Sequence, residues 1–184
     1  MLAVWSVDQS FAGEASLLAQ QLSVPLLSDV DEHTRAAYPF LLVLTVQGCS
    51  LLQGKQRSAV DFVAGASRLR RLHGGGRGQP IAKAIGIKSG NIIPSVLDAT
   101  AGLGGDAFVL ATLGCRVQLC ERSPVAHALL HDGIARANRC EEQSLREIVA
   151  RMHLLAVDSK QHMQNLLTDN SSAEKPDVVF LDPM

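Results

Sequence analysis

A chain of 184 residues, 47% of them apolar, has enough material for one full domain or a small domain plus most of a second, and is too apolar for a disordered segment. Its 17 basic and 18 acidic side chains leave a formal charge of −1, so total charge points to no class of partner. Apolar runs such as Phe40 to Leu44 are far too short to cross a bilayer, and no basic stretch leads into an apolar run at the start, so neither a membrane span nor a secretory leader is expected. In chain order, Leu2 to Val7 reads as a strand and Gly13 to Leu22 as a helix with Leu17, Leu18 and Leu22 on one side. Pro25 to Leu27 reads as a short strand, and Asp29, Asp31 and Glu32 as a loop. Phe40 to Val46 and Ser50 to Gln53 read as a hairpin joined at Gly48.

The next stretch changes character. Lys55, Arg57, Arg68, Arg70, Arg71, Arg77, Lys83 and Lys88 face the lone acid Asp61. On charge alone this suits a solvated surface as well as a nucleic-acid face. Asp61 to Leu72 predicts a basic helix, and His73 to Gly78 a loop, because glycines this dense are costly in any regular element. Pro80 to Ile85 restarts a helix with proline in its first turn, and Ser89, Gly90, Asn91 and Pro94 read as a linker.

From Val96 the rhythm is α/β. Strands are expected at Val96–Ala99, Arg116–Cys120, Met152–Val157 and Val178–Leu181. Helices are expected at Asp106–Leu113, stopped by Gly114, and at Pro124–Ala137, capped by Ser123, then at Gln143–Ala150 and Gln161–Leu167. Such alternation predicts a parallel sheet with right-handed crossovers. The division expected is a small α+β unit over 1–58, a basic Gly/Arg-rich connection over 59–94, and a Rossmann-like domain over 95–184.

In an open parallel sheet, ligands sit beyond the carboxyl ends of the strands. The loop in VLDATAGLGGDAF, positions 96 to 108, lies at such a place. Gly102 and Gly104 permit close backbone approach, Asp98 ends the strand, and Asp106 opens the helix. Two ligands compete. Gly102 to Ala107 satisfies G-x-G-x-x-A, and Glu121 follows about 20 residues later, as a dinucleotide site expects. Such a site rests pyrophosphate on the helix N-terminus, where Asp106 would repel it. S-adenosylmethionine carries a sulfonium and an ammonium instead and suits acidic neighbours, with Glu121 accepting from ribose hydroxyls. Asp158 is placed to accept the adenine amino group or to cap the next helix, and Ser159 to assist or cap. At the end of the last strand, Asp182 and the Pro183 carbonyl are placed to accept N–H groups of an exocyclic amine and aim it at a methyl group.

VDFVAGASRLRRLHGGGRGQPIAKAIGIK, DATAGLGGDAFVLATLGCRV, ERSP and VVFLDPM together resemble the ribosomal RNA small-subunit methyltransferase J family. The resemblance runs from about Ala59 to Met184. It implies a Rossmann-like class I methyltransferase fold, S-adenosylmethionine as cofactor, and transfer to a guanine N2 of 16S ribosomal RNA, free or in the small subunit, in the cytoplasm. It places cofactor contacts on Gly105 and Asp106, Glu121 and Arg122, Asp158 and Ser159, and Asp182. Gly105 departs from the pattern, since relatives can carry Arg there, so only its backbone would serve. The family continues past Asp-Pro-Met, so a truncated chain with an incomplete parallel sheet is expected. An RNA-binding remnant without turnover, using Lys55 to Lys88, is the non-enzymatic alternative, as an NAD-type oxidoreductase is the enzymatic one.

Two further patterns are weaker. Gly74 to Gly78 lacks the G-K-[ST] ending of a P-loop and reads as an RNA-backbone contact with Arg77, flanked by Arg68, Arg70, Arg71 and Lys83. Phe62 is placed either to stack on a base or in the core. His127 and His131 have metal-ligand spacing on a helix but no evident third ligand, so no metal is expected. Cys49, Cys115, Cys120 and Cys140 form no C-x-x-C pair and read as small hydrophobes in a reducing compartment.

Overall fold

The computed structural model describes residues 1–64, 76–87, 92–168 and 175–182, with Arg77 described in its backbone alone. Two sheets share one core. The first has the order β2-β1-β3-β4-β5, formed by β1 (Leu2–Ser6), β2 (Leu26–Leu27), β3 (Phe40–Thr45), β4 (Gly48–Gln53) and β5 (Gln56–Ser58). β1 pairs parallel with β2 and β3, whereas β3-β4-β5 is an antiparallel meander. Residues two apart face the same side of a strand. Leu42 and Leu44 of β3 therefore join Val4 in the main core, while Leu41 and Val43 join Ala3 in a smaller cluster on the other face. Because both faces are covered, the strand FLLVLT is a continuous apolar run rather than an alternating one.

α1 (Ala12–Leu22) covers the main-core face through Ala15 and Ala19. The other face is covered in part by Tyr38 and Val30, which flank α2 (Glu32–Ala37). Asp29 and Asp31 lie in the expected loop, while Glu32 already opens this helix, which was not expected. The Asp31 carboxylate accepts the Thr34 N–H at 2.7 Å and caps six residues too few to show a helical period. The polar strand β5 was likewise not anticipated.

The second sheet is wholly parallel, in the order β8-β7-β6-β9, from β6 (Val96–Asp98), β7 (Val117–Cys120), β8 (Met152–Leu155) and β9 (Val178–Phe180). α4 (Gly105–Thr112) connects β6 to β7, α5 (Pro124–Arg139) and α6 (Gln143–Val149) connect β7 to β8, and α7 (Ser159–Thr168) precedes β9. The strand order reverses between β6 and β9, which makes the crevice between their carboxyl ends the place where such sheets bind ligands. A short helix, α3 (Pro80–Ala84), lies against α4 and buries Ala82. Asp61 to Ala64, the opening of the expected basic helix, forms a turn in which the Asp61 carboxylate accepts the Val63 and Ala64 N–H groups. The rest of that expected helix, with Arg68, Arg70 and Arg71, lies outside the described residues, as do 73–75 of the glycine loop.

α5 stands between the sheets. Leu129, Leu130, Gly133 and Ala137 are buried along it. At Gly133 a side chain would stand 2.4 Å from Val60 Cγ1, so glycine is what lets the segment after β5 press against the helix. Arg136 completes the seam. Its guanidinium donates to the Val60 carbonyl and to Asp132, the latter at 2.8 Å, with Asp61 at 3.8 Å. Cys49, Cys115 and Cys120 are buried free thiols, and burial pushes Cys49 and Cys120 up, to about 12 and about 11, so they pack rather than react. No described helix is long and apolar enough to cross a membrane.

Candidate cofactor and methyl-transfer site

The chain leaves β6 at Asp98 and enters α4 through two left-handed glycines, Gly102 at φ +54° and Gly104 at φ +75°. Their reasons differ. A side chain at Gly102 would meet only the Thr100 carbonyl, at 3.9 Å, so this position turns the loop and leaves its outer side open. A side chain at Gly104 would stand 2.6 Å from Leu130 and 3.5 Å from Phe62. Gly104 is thus the floor of the loop, resting on α5 and on the Phe62–Phe108 stack, whose centroids are 4.6 Å apart. Phe62, 2% exposed, is core, and the base-stacking alternative for it falls.

The loop is stitched to strands on both sides. Towards β7, the Ala101 N–H donates to the Cys120 carbonyl at 3.3 Å and the Gly102 N–H to Glu121 Oε2 at 2.9 Å. Glu121 Oε1 accepts the Ser123 N–H at 2.6 Å, so each carboxylate oxygen holds one backbone N–H. Towards β9, the Ala99 N–H donates to the Phe180 carbonyl at 3.0 Å and the Asp182 N–H to Thr100 Oγ1 at 2.9 Å. Thr100 was not singled out from the sequence. Its partner lies 82 residues away, so no local signal marks it.

Asp98, Asp106, Glu121 and Asp182 converge around this loop. Asp98 is 2% exposed, and burial pushes its carboxyl up to about 6. The Thr100 N–H, donating to Oδ1 at 3.0 Å, pulls it back, and the charges of Asp106, Asp182 and Glu121 raise it again. Carboxylates gathered at a glycine loop repel a pyrophosphate and attract a cation. The donor set therefore fits the sulfonium and ammonium of S-adenosylmethionine.

One strand further, Asp158 Oδ1 accepts the Lys160 and Gln161 N–H groups at 3.0 and 3.2 Å. Asp158, not Ser159, caps α7, and Ser159 is the helix's first residue. Arg122 faces Asp158 at 3.8 Å from an exposed position. Gly105 opens α4, with Asp106 in its first turn. From Glu121 and Arg122 a groove of about 670 Å³ runs between α1 and α5, past Leu17, His127 and His131. The two imidazoles stack on each other, with centroids 6.3 Å apart. Among the described residues no group of three or more His, Cys, Asp or Glu side chains is arranged to hold a metal ion. Of the expected RNA contacts, Lys83 is exposed on α3, and Arg77 is described in backbone only. Pro183, expected beside Asp182 in the acceptor site, lies outside the described residues.

A parallel sheet with a left-handed glycine loop at its switch point and a ring of carboxylates around it defines a Rossmann-like methyltransferase. The family model "Putative SAM-dependent methyltransferase" matches residues 26–184. The ribosomal RNA small subunit methyltransferase J of Cellvibrio japonicus is 46% identical over 184 residues, covering 96% of this chain and 67% of the relative. That of Chromobacterium violaceum is 48% identical over 172 residues, covering 92% of this chain and 62% of the relative. A solved SAM-dependent methyltransferase of Neisseria gonorrhoeae superposes with a TM-score of 0.75 at 33% identity, covering 99% of this chain and 70% of that one. The chain belongs to this family of S-adenosylmethionine-dependent methyltransferases, and the dinucleotide reading of its glycines falls. It spans about two thirds of the length of the curated relatives.

Proposed function

We propose that the chain methylates the exocyclic N2 amine of a guanine in 16S ribosomal RNA, in the cytoplasm, with S-adenosylmethionine as donor. The observation that carries the reading is the convergence of Asp98, Glu121 and Asp182 on one glycine loop at the switch point. When bound, S-adenosylmethionine supplies a methyl group on a sulfonium that departs as a neutral thioether. The protein's task is then to hold and orient. Gly105, Asp106, Glu121 with Arg122, and Asp158 hold the adenosine and amino-acid ends, and Asp98 balances positive charge from beneath the loop. Asp182 accepts an N–H of the guanine amine, whose lone pair is otherwise tied up with the ring, and turns the nitrogen towards the methyl carbon. The chemistry supplied there would be an in-line displacement, the nitrogen–carbon bond made as the carbon–sulfur bond broke with its electron pair left on sulfur, and Asp182 or water would take the proton released from nitrogen. Orientation and electrostatics of this kind supply most of a transfer barrier's reduction.

Ribosomal RNA as substrate is supported by the names of the relatives and by the basic segment around Arg68, Arg70, Arg71, Arg77 and Lys83, which we place against the phosphate backbone. The four unpaired cysteines suit a reducing compartment. The test is methyl transfer from labelled S-adenosylmethionine to under-methylated small-subunit RNA and to assembled subunits, with nuclease mapping of the modified base. Label on guanine N2 is expected. Label on another base, or RNA binding without transfer, would sink the proposal in favour of a different acceptor or a binding remnant.

A further inference from the structure

β9 is three residues long and pairs on one side with β6 alone among the described strands, so its register depends on what fastens its ends. Both ends are fastened by a hydroxyl of the β6 segment. Before the strands, Asp177 Oδ2 accepts the Ser95 N–H at 2.8 Å and the Ser95 O–H at 2.7 Å. After them, Thr100 Oγ1 accepts the Asp182 N–H at 2.9 Å. The two fastenings differ in what lies beyond. The Ser95 fastening sits at the amino ends of the strands, away from the carboxylate ring. The Thr100 fastening spans the switch-point crevice, where the loops after β6 and β9 part. One lip of that crevice is the glycine loop and the other carries Asp182.

We infer that Thr100 is a positioning residue for methyl transfer, its hydroxyl setting the distance between the glycine loop and the acceptor-side carboxylate of Asp182. This rests on the proposed role of Asp182. The chemistry demands such a link. Donor and acceptor sit on different loops, and a transfer through a near-linear arrangement of sulfur, carbon and nitrogen is slowed roughly 100-fold by a misplacement of about 1 Å. The Thr100 backbone adds a second tie, since its N–H holds the Asp98 carboxylate. A single residue therefore references both the buried carboxylate under the donor and the exposed one beside the acceptor.

The experiment compares T100V, which keeps shape and loses the oxygen, with T100S, which keeps the oxygen, and with S95A, which loosens the same strand at its other end. T100V is expected to lower kcat by about 10- to 100-fold with the KM for S-adenosylmethionine and the Kd for S-adenosylhomocysteine within about 3-fold. T100S is expected to restore turnover to within about 3-fold, and S95A to leave kcat unchanged. On a D182A background, T100V is expected to add little, because the group it positions is gone. Hydrogen exchange supplies a readout independent of turnover: the Asp182 amide loses protection in T100V and keeps it in T100S. An unchanged kcat in T100V, an equal loss in T100S or S95A, or an Asp182 amide indifferent to T100V overturns the inference alone. A D182A chain with full turnover, or a wild-type chain with none on any RNA offered, overturns the reading beneath it.

Discussion

The two sheets each bury one polar side chain at their strands, and the two are of opposite kinds. In the first sheet it is Ser50, 1% exposed, whose hydroxyl donates to the Val43 carbonyl across the hairpin. A neutral hydroxyl with a backbone partner costs little once paired. In the second sheet it is Asp98, 2% exposed, with one backbone N–H for a partner and three carboxylates for neighbours. Nothing about folding asks for a carboxylate there, and an apolar or amide side chain would serve the core better. The first sheet is a platform that packs against α1 and α5. The second carries an unfavourable charge under the switch-point loop, where in the proposed function a cationic ligand would offset it. Substitutions in the two regions should therefore separate differently between stability and chemistry.

The largest effect is expected at Asp182. D182A should reduce turnover by about 100- to 1,000-fold while changing affinity for S-adenosylhomocysteine by less than about 3-fold, because in the proposed function the carboxylate works on the amine and not on the donor. Steady-state kinetics beside calorimetry decides it, and a pure loss of affinity would move Asp182 into the donor pocket. Next come two glycines that each admit a close neighbour, in different regions and with different backbones, left-handed at Gly104 and helical at Gly133. G104A forces a left-handed alanine against Leu130 and Phe62, and G133A forces a methyl group into Val60. Each should cost about 3 kcal/mol in chemical denaturation, through strain and overpacking. They divide on ligand binding. G104A should weaken S-adenosylhomocysteine by tenfold or more, whereas G133A should bind it normally wherever the chain is folded. Equal ligand affinity in the two variants would break the distinction between loop and seam.

What could be read from the sequence follows the range of the interactions involved. Ser123 and Pro124 announce α5 because a cap and a first-turn proline act within three residues, and the Ser123 hydroxyl does accept the Ala126 N–H. The strand–helix alternation from Val96 and the glycine loop were legible for the same reason. The short α2 was missed because six residues show no period, and β5 because QRS is polar and exposed on every residue. Asp158 was read with two roles, and its capping role is visible. The Phe62 floor beneath Gly104, the seam at Gly133 and the Thr100–Asp182 link all join residues far apart in the chain, which no window of sequence displays. The carboxylate ring lay between these cases: each member follows or opens an element, so each was named, but that they converge on Asp98 depends on strand order.

Asp98 offers a smaller effect with an informative sign. Its carboxyl titrates near 6 in the folded chain against 3.8 for the unperturbed group, so the folded state holds the proton more tightly than the unfolded one. The stabilising contribution of the protonated form is full below about pH 4 and is lost as pH rises through 6. Above that pH the ionised group costs up to about 3 kcal/mol. D98N removes the charge and retains an oxygen for the Thr100 N–H. In the absence of ligand it should be more stable than the wild type at pH 8, by about 2 kcal/mol, and indistinguishable at pH 4. The same variant should bind S-adenosylmethionine at least about tenfold more weakly at pH 8. Denaturation at the two pH values, beside calorimetry, measures both. A variant that is less stable at pH 8 would mean that Asp98 supports the fold rather than the ligand.

The smallest effect belongs to the platform. Asp31 caps α2 through the Thr34 N–H and hydroxyl, at 2.7 and 2.6 Å, and these bonds hold its carboxyl below the usual carboxylate range. D31A should lower stability slightly, as the loss of an exposed helix cap does. Because the folded pKa is depressed, the carboxylate's contribution is present above the unfolded value and fades as pH falls through the folded one. The difference between D31A and wild type should therefore shrink towards pH 3. α2 borders the smaller apolar cluster, on the face of the first sheet turned away from α5, so turnover and cofactor affinity should not move at all. A D31A chain that lost only stability would confirm that this face of the platform is mechanically separate from the crevice. A loss of turnover at full folding would show that the first sheet communicates with the site through β3 and β4, and would erase the division drawn between Ser50 and Asp98.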